Sequence, residues 1–311
     1  MFVTRFSWVF SCLLLAGVCA AQPATTKKAV STRQADPANT QKNNISNTLL
    51  WEISGNGLAK PSYLFGTMHI LCADDARMSD GLKDIIKKTD VVYLELDMDN
   101  KQEVMGAIDY LRMNDGVKLS DLVTKEEYAR VENYFKNSKF PLPAFMLNRF
   151  KPYLVTALIS EQLMDCEKKN GMEERIMDEA RKYSRDIEGL ETMKFQAGLF
   201  DSIPYQKQAK ELVQYIDSLG NYKKVNLQMV DAYKKQDLQY MDELIHKSDP
   251  GLEEYLDLLV YSRNRNWVKQ MPEIMNDKSA LFAVGAGHLP GDNGVISLLK
   301  KAGYTVKPLK N

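Results

Sequence analysis

The spacing of apolar residues divides the chain into two kinds of territory. Near the start, Leu49-Leu50-Trp51-Glu52-Ile53 and Ser62-Tyr63-Leu64-Phe65-Gly66 are short apolar runs on either side of Gly55-Asn56-Gly57. Such runs around a Gly/Asn turn predict a β-hairpin. From Ser79 the period changes, and Leu82, Ile85 and Ile86 fall on one helical face. Val91-Val92-Tyr93-Leu94-Glu95-Leu96 then reads as a buried strand. Strand, helix and strand in that order predict a parallel sheet segment. The middle of the chain is helical in period, over 152–166, 172–183, 205–218 and 225–234. Thr124-Lys125-Glu126-Glu127 has the spacing of a capping box, and Asp249-Pro250 that of an N-cap followed by proline. Ile187-Glu188-Gly189-Leu190-Glu191 has the length of an internal strand. At the end, Ala280-Leu281-Phe282-Ala283-Val284 is the continuous apolar run of a central strand, followed by a helix over 294–302 and a strand at Tyr304-Thr305-Val306. The pattern predicts an α/β fold. Its central mixed or mostly parallel sheet comes from the N- and C-terminal segments and flanks a large helical middle.

Composition narrows this. With 311 residues, 44% of them hydrophobic, the chain has ample material for a core, and wholesale disorder is excluded. Lys and Arg total 41 against 41 Asp and Glu, which gives no basic face for a nucleic-acid partner. The first residues have their own logic. Arg5, the apolar stretch 8–18 and the small residues Cys19-Ala20-Ala21 follow the order of a secretory signal peptide. The apolar stretch is too short to span a bilayer comfortably. We read 1–21 as a signal peptide and 22–47 as a polar, disordered linker, with 48–311 as one α/β domain carrying a helical insertion over about 100–278. The expected location is the periplasm or the exterior, with no stable membrane anchor after cleavage. Asn44-Ile45-Ser46 fits a glycosylation sequon, relevant only in a eukaryote. Cleavage leaves two cysteines, Cys72 and Cys166. In an oxidising compartment their disulfide is the economical reading, with two free thiols as the alternative.

The candidate chemistry lies in rare residues. Two of only three histidines, His69 and His288, sit three residues after a glycine that ends an apolar strand: Gly66-Thr67-Met68-His69 and Gly285-Ala286-Gly287-His288. Glycine permits a sharp exit and close backbone approach. Each histidine is therefore expected just beyond the carboxyl end of a strand, where open α/β sheets bind ligands. If the strands are neighbours, the two imidazoles share a site; otherwise they are unrelated turn residues. Glu95 lies in an otherwise apolar strand, and a buried carboxylate needs a cation, a metal or several hydrogen bonds; solvent exposure at the strand end is the alternative, and Asp97 is a nearby second acid. A His/Glu/His set can hold a divalent ion with positions left for water. It can also work without metal, with His69 as base and Glu95 orienting it. Arg263, beside Asn264 before the Trp267 helix, is a candidate for stabilising an oxyanion. Glu191, Gln196 and His246 have no role assigned by pattern.

These stretches together resemble the TraB/GumN family. The matching residues are Tyr63-Leu64-Phe65-Gly66-Thr67-Met68-His69, the strand around Glu95, Gly189-Leu190-Glu191-Thr192 with Gln196, Arg263-Asn264, and Gly285-Ala286-Gly287-His288. The resemblance runs from Trp51 to the C-terminus. It implies a fold related to erythromycin esterases and ChaN-type haem-binding proteins, with His69, Glu95 and His288 forming the site. In the Tiki branch of the family it implies Mn²⁺- or Co²⁺-dependent peptide cleavage. Tiki proteins are membrane-tethered, whereas this chain reads as released, and the Cys72/Cys166 pair looks like a subgroup feature near His69. The resulting expectation is a metal-dependent hydrolase of a peptide or small acyl substrate. Its metal ligands would be His69, Glu95 and His288, with Arg263 assisting at the oxyanion or a substrate carboxylate. Two alternatives remain open: an esterase-like hydrolase without metal, and a protein that binds haem, metal or peptide without turnover.

Overall fold

In a computed structural model, residues 47–138, 140, 142–248 and 254–311 are described, the side chains of 101–104, 108 and 248 excepted. The expected signal peptide, nearly all of the linker and the Asp249-Pro250 cap lie outside the described residues. The hairpin forms as predicted. β1 (Leu50–Ser54) and β2 (Ser62–Thr67) pair antiparallel with Leu50 opposite Phe65. Gly55, Asn56 and Gly57 all take positive φ in the turn between them, which glycine and asparagine tolerate best.

After the two-residue β3 (Leu71–Cys72) comes α1 (Asp80–Lys88), capped by the Ser79 hydroxyl, which accepts from the Leu82 N–H. It buries Leu82, Ile85 and Ile86, the face read from the sequence. β4 (Val91–Leu96) follows. The helical middle then runs through α2 (Lys101–Tyr110), α3 (Leu119–Leu122), α4 (Lys125–Asn137), α5 (Ala144–Leu147) and α6 (Pro152–Gln162). The capping box at Thr124 and Glu127 is present in both directions at the start of α4. β5 (Lys169–Asn170), α7 (Met172–Lys182), β6 (Asp186–Glu191), α8 (Met193–Leu199), α9 (Tyr205–Asp217), α10 (Leu219–Lys234) and α11 (Leu238–Ser248) continue. A π-turn, Asp257–Tyr261, leads directly into α12 (Ser262–Asp277). β7 (Ala280–Gly285), α13 (Val295–Lys301) and β8 (Thr305–Pro308) close the chain.

Six strands make one mixed sheet in the order β6-β4-β7-β2-β1-β8. β6, β4, β7 and β2 run parallel, and β1 is antiparallel to both its neighbours. β2 and β4 are not adjacent; β7, from the far end of the chain, is inserted between them. This explains why β7 is buried at every position, as its unbroken apolar run requires. The sheet departs from expectation at one edge. β6 comes from the helical middle, so the sheet is not built from the chain ends alone. One apolar core covers the sheet and includes Trp267 and Phe282; a second joins the helices of the middle around Leu154, Phe200 and Tyr215.

Candidate active site

Four parallel neighbours deliver their carboxyl ends to one place. β6 ends on Glu191, which lies opposite Leu96 of β4. Glu95 is the penultimate residue of β4. β7 ends at Gly285 and passes into a tight turn, Ala286–His288. β2 ends at Thr67, opposite Gly285, and His69 follows two residues later. The two G-x-x-H turns therefore do sit on adjacent strands. His69 and His288 both approach the same oxygen, Glu95 Oε1, with their Nε2 atoms 4.0 and 3.8 Å from it. Glu95, His69, His288 and Arg263 are all buried, His288 completely.

Gly285 makes this convergence possible. Its N–H donates to Glu95 Oε1 at 2.8 Å. A Cβ there would stand 3.1 Å from that oxygen and 3.7 Å from His69 Nε2. The other Glu95 oxygen, Oε2, accepts from Arg263 Nη2 at 2.6 Å and from the Gln196 amide at 3.2 Å. Arg263 also grips Glu191 through Nε and Nη2, and donates from Nη1 to the Leu259 carbonyl at 3.1 Å. The donors of Arg263 are thus engaged by protein, and the geometry gives it the task of holding two carboxylates. Gln196 spans the same pair, donating to Glu191 as well.

Each imidazole is set by the partner of its Nδ1. Asn264 Nδ2 donates to the carbonyls of His288 and Asn293, which turns Oδ1 toward His288 Nδ1 at 2.6 Å. An acceptor there fixes the proton on Nδ1 and leaves the Nε2 lone pair facing inward. That Nε2 lies 3.3 Å from Arg263 Nη1. Burial, reinforced by the Arg263 and His69 charges, pushes the His288 pKa down to about 3 against the pull of Glu95. His69 is different. Its Nδ1 lies 2.5 Å from Glu173 Oε1, a buried carboxylate in the first turn of α7, with the ring N–H off the direct line to that oxygen. Burial alone would depress the His69 pKa, but Glu173, then Glu95, outweigh it and hold it above the ordinary value. Burial likewise opposes the Glu95 charge; Arg263, both histidines and the Gly285 N–H overcome it and hold the carboxyl at about 2.

Three sequence candidates fall elsewhere. His246 is partly exposed on α11 beside the Tyr261 hydroxyl. Asp97 caps its own turn, accepting from the N–H groups of Asp99 and Asn100. Cys72, three residues after His69, is joined to Cys166 by a disulfide. Glu173 escaped the sequence reading altogether. It sits in an ordinary amphipathic helix rich in Glu and Arg, where nothing local separates it from Glu174.

The donor chemistry of the centre suits a divalent ion. His69 Nε2 is buried without a hydrogen-bond partner and faces the gap left by Gly285. Glu95 and Glu191 share one guanidinium, Arg263, and Glu173 lies against His69, so three carboxylates gather at the centre with Arg263 as the one permanent cation among them. The spacing is wider than that of a formed site: ligands about 2.1 Å from one ion stand about 3–3.5 Å apart. Among the described residues, no group of three or more His, Cys, Asp or Glu side chains is already at ion-holding distance. Nor, among these residues, is any helix long and apolar enough to cross a membrane.

Comparison with known proteins finds metalloprotease relatives. The chain is 21% identical to metalloprotease TIKI2 of Xenopus tropicalis over 96% of its length and 66% of the relative's. It is 23% identical to the metalloprotease TIKI homolog of Amphimedon queenslandica, covering 86% of this chain and 62% of that one. Against human metalloprotease TIKI1 the identity is 21%, over 84% and 62%. The chain therefore spans somewhat under two thirds of the length of these relatives. No solved structure matches it. The family match runs over residues 49–308, from β1 to β8, and so takes in every strand that brings a residue to this centre: the chain belongs to the TraB/PrgY/gumN family.

Proposed function

We propose that the protein is an exported metal-dependent hydrolase of a peptide or related acyl bond. Its substrate is a peptide or small acyl compound, and its place is the periplasm or the cell exterior. One observation carries the reading: the buried, unpartnered Nε2 of His69 and the Nε2 of His288 lie 4.0 and 3.8 Å from the same oxygen, Glu95 Oε1. His69, Glu95 and His288 would hold the ion, for which Mn²⁺ and Co²⁺ are the family expectation. A bound ion supplies Lewis acidity for the scissile carbonyl and acidifies a water. The protein's own residues do the rest. Arg263 and Gln196 hold Glu95 by Oε2, so that Oε1 stays turned to the histidines. Asn264 keeps His288 in the tautomer whose free nitrogen faces inward. Trp267, its ring centroid 4.5 Å from that of His288 and inclined at 46° to it, packs against the imidazole and excludes water from that side.

The test is elemental analysis of the purified protein beside His288→Ala. Stoichiometric metal in the wild type, lost in the variant, is the expected result. Glu95→Gln is expected to abolish peptide or ester turnover, and retained turnover would remove Glu95 from the site. A second reading keeps the residues and drops the metal, with His69 Nε2 as general base. It is favoured by the wide donor spacing and by Arg263 Nη1, which stands 3.3 Å from the His288 Nε2 lone pair. Turnover that survives removal of all metal by a chelator selects it.

A further inference from the structure

His69 and Glu173 meet from distant parts of the chain, and five ties bracket their meeting. β3 pairs antiparallel with β5, Leu71 opposite Asn170 and Cys72 opposite Lys169. The Ala73 N–H extends this ribbon to the Lys168 carbonyl at 2.9 Å. The Cys72–Cys166 disulfide closes it covalently. On the other side of His69, the first residue of α7 donates back across the gap, Met172 N–H to the Met68 carbonyl at 3.1 Å. Arg175, one turn along the same helix, reaches the Ala73 carbonyl. The segment 68–73 that carries His69 is thus bound to the segment 166–175 that carries Glu173, before and after both residues. Among the described residues neither segment has another sheet to rest on, since β3 and β5 form a two-stranded sheet of their own.

The carboxylate these ties deliver has little else to do. Glu173 is buried, and among the described residues its ion pair is with His69. Neither of its oxygens has an aligned hydrogen-bond donor there, which leaves the contact with His69 Nδ1 as its ion pair. A buried carboxylate held in this way is costly unless its one contact is used. We propose that Glu173 is the positioning residue of His69, fixing which ring nitrogen faces Glu95 and His288, and that the disulfide-closed β3–β5 ribbon keeps the pair in register. Asn264 does the same for His288 from α12, but through an amide and without a covalent clamp. The role rests on His69 acting through Nε2, as in the function proposed above.

The test reads the ring itself, with no substrate and no added metal, so its outcome is separate from whether the site hydrolyses anything. The full chain is labelled with ¹⁵N-histidine and stripped of metal. Three histidines give three pairs of ring signals. In Glu173→Gln the two signals of His69 are expected to shift while those of His288 and His246 stay. Reducing the disulfide of the wild type is expected to shift the same two signals. Unmoved His69 signals in Glu173→Gln overturn the positioning role, and unmoved signals on reduction overturn the role of the ribbon. An equal displacement of the His288 ring in either experiment means general loosening and overturns the proposal as well. Should Glu173→Gln not fold, Glu173→Asp keeps the charge on a shorter stem and is read by the same criteria.

Discussion

At His288 the neighbour of Nδ1 is an amide, Asn264; at His69 it is a carboxylate, Glu173. A neutral partner does nothing to favour an imidazolium, so burial dominates at His288 and its pKa falls to about 3. At His69 the carboxylate overcomes burial and the pKa rises. The two shifts act on stability with opposite sign. For His288 the folded value lies below the unfolded one, so its contribution is present above about pH 6.5 and is lost as pH falls toward 3. For His69 the contribution is full below about pH 6.5 and is lost as pH rises through the folded value. Glu95, at about 2, loses its contribution only between about pH 4.5 and 2. In urea titrations of metal-stripped protein between pH 7 and 4, His288→Gln should therefore flatten the acid loss of stability, by at most about 1.4 kcal/mol per pH unit. Equal slopes in variant and wild type would show that His288 titrates as an ordinary histidine. Asn264→Ala leaves His288 Nδ1 and two carbonyls without their partner, and should cost about 1–3 kcal/mol in the same titration at pH 7.

At the scale of elements, the site is a set of strand ends, and two glycines let those ends come together. A Cβ on Gly189 of β6 would stand 2.5 Å from the Asp97 backbone nitrogen, an atom fixed by the β4–β6 pairing. A Cβ on Gly285 would meet the end of the Glu95 side chain at 3.1 Å, which can give. Gly189→Ala should therefore be the more destabilising, by about 1–3 kcal/mol or more. Gly285→Ala should fold and instead weaken metal binding by displacing Glu95 Oε1. Urea midpoints and metal titrations of the two variants check the ranking, and a Gly285→Ala protein with wild-type metal affinity would count against Oε1 as a ligand. β2, β4 and β7 were legible in the sequence because each is a mostly apolar run with a glycine or an acid near its end. His69, Glu95 and His288 were legible for the same reason. Arg263 and Asn264 were visible, but their tasks were not: the π-turn at Asp257–Tyr261 that carries them into α12 has no local signature, and it is this turn whose Leu259 carbonyl Arg263 grips. β6 was visible as a short strand, although not as a neighbour of β4. Glu173 was invisible, because what distinguishes it from Glu174 is the ribbon that aims α7 at His69, a long-range contact that helical periodicity does not encode.

For the whole molecule, the Cys72–Cys166 bond closes a loop with a sequence separation of 94. That loop contains α1, the central strand β4 and the helices α2 to α6, so it is threaded through both the sheet core and the helical core. In the unfolded chain the cross-link removes the entropy of closing a loop of that length, on the order of 4–5 kcal/mol in the chain-entropy model, with about 2–4 kcal/mol typical of measured bonds. The folded ends are also held by the β3–β5 ladder and by Met172, so reduction loosens their register at His69 without parting them. The effect on global stability should therefore come mainly through the unfolded state. Urea unfolding of Cys72→Ser/Cys166→Ser at pH 7 should show a midpoint lowered by about 2–4 kcal/mol of stability. The urea dependence should also be steeper, because the uncrosslinked unfolded chain exposes more surface. An unchanged midpoint with an unchanged slope would mean that the ladder alone carries the constraint. A lowered midpoint with a steeper slope places the bond where its position in the chain suggests, as a long-range staple between the strand that presents His69 and the helix that presents Glu173.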